Sequence, residues 1–316
     1  MSRTLLYTRQ IRARFGYGKA LQFFAYAQLY PKAFAKWFDF AESTLPLPGA
    51  DTSEDFKLRQ IMRAGFRFVN PGFSVPEAID ALISHYTTLK QSLPPAALPS
   101  FMAGCEIAEV TGHSGKKYIF KVIHNIAKEG ALVIALLDSE VEIFAPLATV
   151  TGILTRDHNG QPVFMVGMLR GPGPRIPNGK QRVVDATRDL NGLRPKQAVV
   201  HAASALAQWF GAKEIIAPST ENQIAIRNWF KGHKIHADHD TFWQEFAKEP
   251  APDGNYRLPL PLPRRNVADV QQKRRKDWIL RYQRIDAFSA GIKAVLDGLS
   301  SKREDEVRKD KIFVKA

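Results

Sequence analysis

The sequence predicts an α+β or α/β chain: a mixed, mostly antiparallel sheet with a crossover helix, flanked by N-terminal helices and a C-terminal helix. Three observations carry this reading. The first ninety-five residues are aromatic-rich with helical spacing of apolar side chains, whereas Lys117 to Leu169 breaks into short β-branched or apolar runs separated by turn residues. A helical stripe from Pro195 to Phe210 then leads into the short apolar run Lys213 to Ala217. A helix joining two strands in that order forms a right-handed crossover if the strands are parallel.

The elements follow in chain order. Gly18 to Tyr30 places Leu21, Phe23, Phe24, Tyr26, Ala27 and Leu29 on a wide apolar surface, and Pro31 is expected to stop it. This helix reads as one packed on the main domain, or as an interfacial helix whose Lys19, Lys32 and Lys36 meet lipid headgroups. A second helix is expected from Val75 to Lys90, and the proline-rich run Pro94 to Pro99 reads as a boundary. Tyr118 to His124, Ala131 to Leu137, Val141 to Leu154 and Val163 to Leu169 are runs that read as an antiparallel meander of three or four strands. Asn159-Gly160 joins the last two because both residues tolerate positive φ.

A polar helix near Arg182 to Asp189 and a turn at Asn191-Gly192 come next. The better helix starts at Pro195, which suits a first helical position, and ends before Gly211. Its stripe of Val199, Ala202, Ala203, Leu206, Trp209 and Phe210 packs on the sheet. Alternating prolines make Leu258 to Pro263 extended, and Val267 to Leu299 reads as a long helix carrying six Lys and Arg from Lys273 to Arg284. The expected organisation is a mainly helical region over 1–95, a mixed core over 100–250, an extended segment and basic helix over 251–299, and a flexible charged tail over 300–316.

Composition narrows the function classes. A chain of 316 residues that is 45% hydrophobic can bury a substantial core, and its formal net charge of +14 calls for an anionic partner. With Cys105 as its one cysteine the chain forms no internal disulfide. Arg3, Arg9, Arg12 and Arg14 argue against a secretory signal, and no apolar run reaches the length of a bilayer span. The expected location is the cytoplasm, at or near the inner membrane surface. A nucleic-acid role lacks a helix-turn-helix, zinc finger or aromatic RNA-binding strand.

The candidate site gathers at the start of the 195–210 helix. Arg194 and Lys196 sit where the helix macrodipole disfavours cations, so a bridging phosphate or carboxylate would relieve the cost. Arg170, Gly171 and Gly173 follow the fourth strand and would face the same place. Glu221 and Asn222 follow the short strand's end, where ligands bind in α/β sheets, although they also read as a cap for a helix through Ile224 and Trp229. His201 lies off its helix's apolar stripe and faces either a cleft or a structural partner. Arg188 and Asp189 read as a local ion pair.

His233, His236, Asp238, His239 and Asp240 have spacing that could suit zinc or manganese, but no cysteine and no second cluster support it. The stronger reading makes Asp240 the cap of a helix starting at Thr241, with Phe242, Trp243 and Phe246 buried, and no metal is assigned. His201, Glu221 and His236 are the candidate catalytic groups; Arg170, Gly171, Gly173, Arg194, Lys196 and Asn222 are the candidate cofactor-binding ones.

From Lys117 to Asn222 the order of elements resembles the core of the Gcn5-related acetyltransferase superfamily. That resemblance implies an acyltransferase-like fold, acyl-coenzyme A as cofactor, and a pyrophosphate held on backbone amides at the loop after the fourth strand. The loop here is interrupted by Pro172, Pro174 and Pro177 and lacks the superfamily's usual glycine spacing, which leaves the cofactor open. The run Thr187-Arg188-Asp189-Leu190-Asn191-Gly192-Leu193-Arg194-Pro195-Lys196, the block His236 to Trp243, and the Leu258-Pro259 region before the basic helix resemble the VirK/YbjX family of Gram-negative bacteria. This second resemblance implies a link to virulence, envelope remodelling and resistance to antimicrobial peptides. It favours an anionic small molecule or lipid as partner, with peripheral membrane contact, over nucleic acid. A non-catalytic peripheral protein is the alternative reading.

Overall fold

The computed structural model describes residues 2–45, 54–64, 68–141, 145–224 and 238–313. Its architecture is α+β. The first part is helical: α1 (Arg3–Phe15), α2 (Tyr17–Leu29), α3 (Pro31–Thr44), α4 (Glu54–Arg63), α5 (Val75–Ser92) and α6 (Leu98–Gly104). α2 ends just before Pro31 as expected, and Pro31 also opens α3 at the first helical position, where its missing N–H costs nothing. Ser74 starts α5 through a reciprocal cap with Glu77, whose carboxylate accepts the Ser74 N–H at 2.7 Å. The proline run after α5 is partly helical, because Pro99 fits the first turn of α6.

Among the described residues seven strands form one sheet in the order β1 (Cys105–Thr111), β2 (Lys117–Ala127), β3 (Gly130–Asp138), β4 (Ala148–Arg156), β5 (Pro162–Arg170), β6 (Glu214–Pro218) and β7 (Asn255–Pro259). The meander therefore has five antiparallel strands rather than three or four, since the half-exposed β1 pairs with β2 from Cys105↔Val122 to Thr111↔Lys117. The Val141 to Leu154 run is strand from Ala148 onward. Gly160, at φ +75°, donates its N–H to Asp157 in the β4–β5 turn, where Asn159-Gly160 was expected to act.

α7 (Gly179–Asp189) and α8 (Pro195–Trp209) carry the chain from β5 to β6. β5 and β6 are parallel, as the crossover required, but their ladder covers only Val163↔Glu214, Phe164↔Ile215 and Met165↔Ile216. β5 continues to Arg170 and β6 to Pro218 beyond that ladder. β7 then pairs antiparallel with β6, which explains the extended chain before the alternating prolines.

α9 (His239–Trp243) sits at the end of β6, with the Trp243 indole donating to the Pro218 carbonyl at 3.0 Å. Its cap is Asp238, whose carboxylate accepts the Thr241 N–H at 2.9 Å. Asp240, expected to cap, instead accepts the Thr220 N–H at 3.1 Å and ties α9 to the strand end. The C-terminal helix α10 (Arg275–Phe313) begins later than Val267, because short 3-10 turns at Val267–Asp269 and Gln272–Arg274 precede it.

A single apolar cluster runs from the N-terminal helices through the sheet to α10. α8 lies on β3 and β4 and against α10, and its Val199 and Leu206 are fully buried. Each such side chain contributes roughly 1.5–3 kcal/mol by leaving water. Phe120 of β2 meets Phe288 of α10 with ring centroids 4.5 Å apart, closing the core on that side.

Candidate functional site

The turn between α7 and α8 positions the candidate site. Gly192 takes φ +78°, and a Cβ there would stand 2.6 Å from an Arg281 guanidinium nitrogen. Glycine suits the left-handed backbone, and a side chain there would also push the end of Arg281 off the turn. Arg281 donates to the Gly192 carbonyl at 2.7 Å, while Asn191 bonds Arg284 and Asp277. Helix α10 thus grips the turn that aims the first residues of α8. Gln197 satisfies the Arg194 N–H at 3.2 Å, completing the helix start.

The end of α7 that enters this turn is anchored by Asp189, for which the sequence suggested a local pairing with Arg188. The structure corrects this: the Asp189 carboxylate accepts from the Tyr118 hydroxyl at 2.9 Å and the Ser114 N–H at 2.8 Å, and lies 2.6 Å from His113 Nδ1. Burial opposes its charge, but the hydrogen bonds from Ser114, Tyr118 and His113 prevail and hold the carboxyl below its usual range. A Cβ on Gly112 would fall 1.8 Å from this carboxylate, so only glycine admits the contact. His113, Tyr118 and Asp189 also line a small cavity of about 310 Å³ with Lys116, Arg182 and Arg188. Their sequence separation hid this cluster, and only the β1–β2 turn beside Asp189 reveals it.

Between α7 and the start of α8 lies an apolar cavity of about 670 Å³. Leu147, Pro172, Val183, Val184, Pro195 and Phe242 form its walls, and Lys180, Arg188, Arg194 and Lys196 supply its cations. Among the described residues no ion pair neutralises Lys180, Arg188 or Lys196. Arg194 is shared: it bonds the Glu245 carboxylate, which also accepts from Gln197 at 2.6 Å, and its guanidinium lies 5.7 Å from the Phe242 ring centroid. Burial, then the neighbouring Arg194, lowers the pKa of Lys196. An anion placed there would reverse that cost.

Arg194 also lines a second cavity of about 600 Å³, with Gln197, His201, Glu245, Phe246, Arg265, Trp278, Arg281 and Tyr282. His201 stands edge-on to Phe246 at 5.8 Å. Burial, followed by repulsion from Arg264 and Arg281, lowers its pKa to about 4. It is therefore an uncharged imidazole at neutral pH, fit to exchange hydrogen bonds with a ligand and a weak proton acceptor.

The structure brings three of the expected binding residues together: Gly171, Arg194 and Lys196 share the apolar cavity, and Arg194 links it to His201. The three other binding candidates and the catalytic candidate Glu221 lie elsewhere. Arg170 is exposed and pairs with Glu129 at 3.3 Å. Gly173 faces open space in the β5–α7 loop, and Glu221 is exposed on the turn after β6. Asn222 is committed to structure, donating to the Asp253 carbonyl at 2.9 Å and to the Asn255 side chain at 3.3 Å. His236 and His233 lie outside the described residues, as does most of the helix expected through Trp229. Among the described residues no group of three His, Cys, Asp or Glu is placed to hold a metal.

Lys180, Val183, Val184 and Phe242 were missed as cavity residues. The signal was present in part, since Lys180, Val183, Val184 and Thr187 follow helical spacing, but it points nowhere until the face of α7 is known.

Comparison with known proteins agrees with the second resemblance drawn above. The chain belongs to the family described as "Protein of unknown function (DUF535)", whose model matches residues 15–294. It is 29% identical over 237 residues to the "Uncharacterized protein YbjX" of Escherichia coli (strain K12), a match covering 73% of this chain and 70% of that one. It is also 28% identical over 123 residues to an "Uncharacterized protein" of Haemophilus influenzae, covering 38% of this chain and 40% of that protein. No solved structure matches it.

Proposed function

We propose that this DUF535 chain binds an acyl group carried on an anionic head, an acyl-coenzyme A or a chemically similar thioester, and acts as an acyltransferase in envelope remodelling. The observation that carries the reading is the pairing of an apolar cavity of about 670 Å³ with four Lys and Arg side chains, at the outgoing end of β5 and the amino end of the crossover helix. Apolar walls favour the acyl chain by roughly 0.8 kcal/mol for each buried methylene. The cations and the positive end of α8 favour phosphate or carboxylate. The parallel ladder supports this placement, because it stops at Met165↔Ile216 while both strands run on.

In the transfer step an acceptor amine or hydroxyl attacks the thioester carbonyl carbon. The new C–N or C–O bond forms, the C–S bond breaks, and the acceptor's proton ends on the departing thiol. The second cavity, reached past Arg194, is the place for the acceptor, and the neutral His201 is the group there able to relay that proton. The envelope assignment rests on the VirK/YbjX resemblance.

Calorimetric titration with acyl-coenzyme A of increasing chain length tests the proposal. Affinity is expected to rise from acetyl to octanoyl and to be lost in Val183→Trp, which fills the apolar cavity. Absence of heat and of any thermal shift across all chain lengths would overturn it.

A further inference from the structure

Helix α2 is apolar on both of its sides. Ala20, Phe23 and Ala27 face the core, while Tyr17, Leu21, Ala25 and Leu29 recur every four residues on the outside. Tyr17 is 75% exposed, and Leu21 and Leu29 are each 70% exposed. Lys19 is the only charged residue on this helix. Of the eight large hydrophobic side chains exposed among the described residues, six (Leu5, Leu6, Tyr17, Leu21, Leu29 and Tyr30) belong to α1, α2 and the junction with α3. Scattered exposed leucines are ordinary, but their concentration on one helical hairpin marks a surface that something covers.

Charge decides what covers it. Residues 2–36 contain seven Arg and Lys and no Asp or Glu. Acidic side chains from later helices pair with Arg3, Arg14 and Lys36. Arg12 and Lys19 lie over the Tyr17 and Phe15 rings, 5.2 and 5.5 Å from their centroids, at the edge of the apolar stripe, and Lys32 follows at its other end. In a symmetric pair of identical chains this patch would meet itself, cation against cation. An anionic bilayer supplies both what the stripe lacks and what the cations lack.

We propose that α1 and α2 form a monotopic membrane anchor, with the outer face of α2 lying in the interface of an anionic bilayer and Arg12, Lys19 and Lys32 at the headgroups. The helix has 13 residues, or about 20 Å of rise, which suits an orientation along the surface. No helix among the described residues is long and apolar enough to cross. The anchor is separate from the acyl cavity and stands whether or not acyl transfer does.

Sedimentation with vesicles of phosphatidylglycerol and phosphatidylcholine, using the full chain, tests this. Binding is expected at low salt, weak on phosphatidylcholine alone, and reduced when salt screens the cations. Leu21→Glu with Leu29→Glu should lower the partition coefficient at least tenfold, with the thermal midpoint and acyl-coenzyme A response unchanged. Lys19→Glu with Lys32→Glu, which leaves the apolar stripe intact, should lower it several-fold and remove most of the salt dependence. Anionic-vesicle binding that survives both variants, no binding at all, or a solution dimer that the leucine variant dissociates would each overturn the anchor.

Discussion

Two regions of this molecule bury ionisable side chains, and they do so for opposite ends. Around α5 and β2 the space is filled: His85 and His124 stack with ring centroids 6.0 Å apart, Tyr86 closes over them at 5.2 and 5.8 Å, and all three are buried. Around α7, α8 and α10 the space is left open, and Lys196, His201 and Arg281 line cavities instead of filling gaps. Burial lowers the pKa of groups in both regions. In the closed region that cost is offset within the fold, by packing and by contacts such as the Leu154 N–H that donates to His85 Nδ1 at 3.4 Å. In the open region a ligand could offset it, which is why a lowered pKa marks a site only where there is also room.

The contrast breaks hardest if the closed packing is removed. Phe120 is fully buried against Phe288 beside the β2 core, so Phe120→Ala should cost about 3–5 kcal/mol in urea unfolding. The cavity-lining Val184, which is 40% exposed, should give a change within about 0.5 kcal/mol on conversion to Ala. Equal losses at the two positions would mean that the open region is packed as tightly as the closed one.

Acid sharpens the comparison next. Burial, with mutual repulsion second, holds His85 well below its usual pKa, and burial takes His124 to about 3. Between about pH 6.5 and pH 3 the unfolded chain binds a proton at position 124 that the folded chain refuses. Stability is therefore lost as pH falls below 6.5, at about 1.4 kcal/mol per pH unit for this one histidine. The unfolding free energy of His124→Gln, followed from pH 6.5 to 5, should lose the slope of about one proton relative to the parent. An unchanged slope would place a charged imidazole in the folded core.

The sequence showed the meander, the crossover and the parallel strand, because strand and helix periods differ sharply on either side of Arg170. It hid β1, whose alternation is half exposed, and β7, whose proline run reads as merely extended until Ile215↔Leu258 pairs it. At the site, Arg194 and Lys196 were legible because cations at a helix start violate a local electrostatic rule. Asp189 was misread for the opposite reason: its neighbour Arg188 offered a plausible local partner, while Tyr118 and His113 are more than seventy residues away. Glu221 and Asn222 obeyed a sound rule about strand ends, yet at this strand end α9 and the β7 turn occupy the space.

The smallest effect on stability should accompany a large effect on binding. Lys196 has a lowered pKa because burial and Arg194 both oppose its charge, so the folded chain holds that ammonium at a cost at neutral pH. Removing the charge while keeping the stem, as in Lys196→Met, ends the cost, and the unfolding free energy should stay level or rise by a few tenths of a kcal/mol. If the proposed anion site is there, the same change deletes one of its cations and should weaken acyl-coenzyme A binding by roughly tenfold or more. Lys196→Arg should restore most of the affinity if the site needs only positive charge, and little if the cavity has no room for a guanidinium. A variant that is destabilised by more than about 2 kcal/mol yet binds normally would move Lys196 into the closed class, leaving the apolar cavity without its innermost cation.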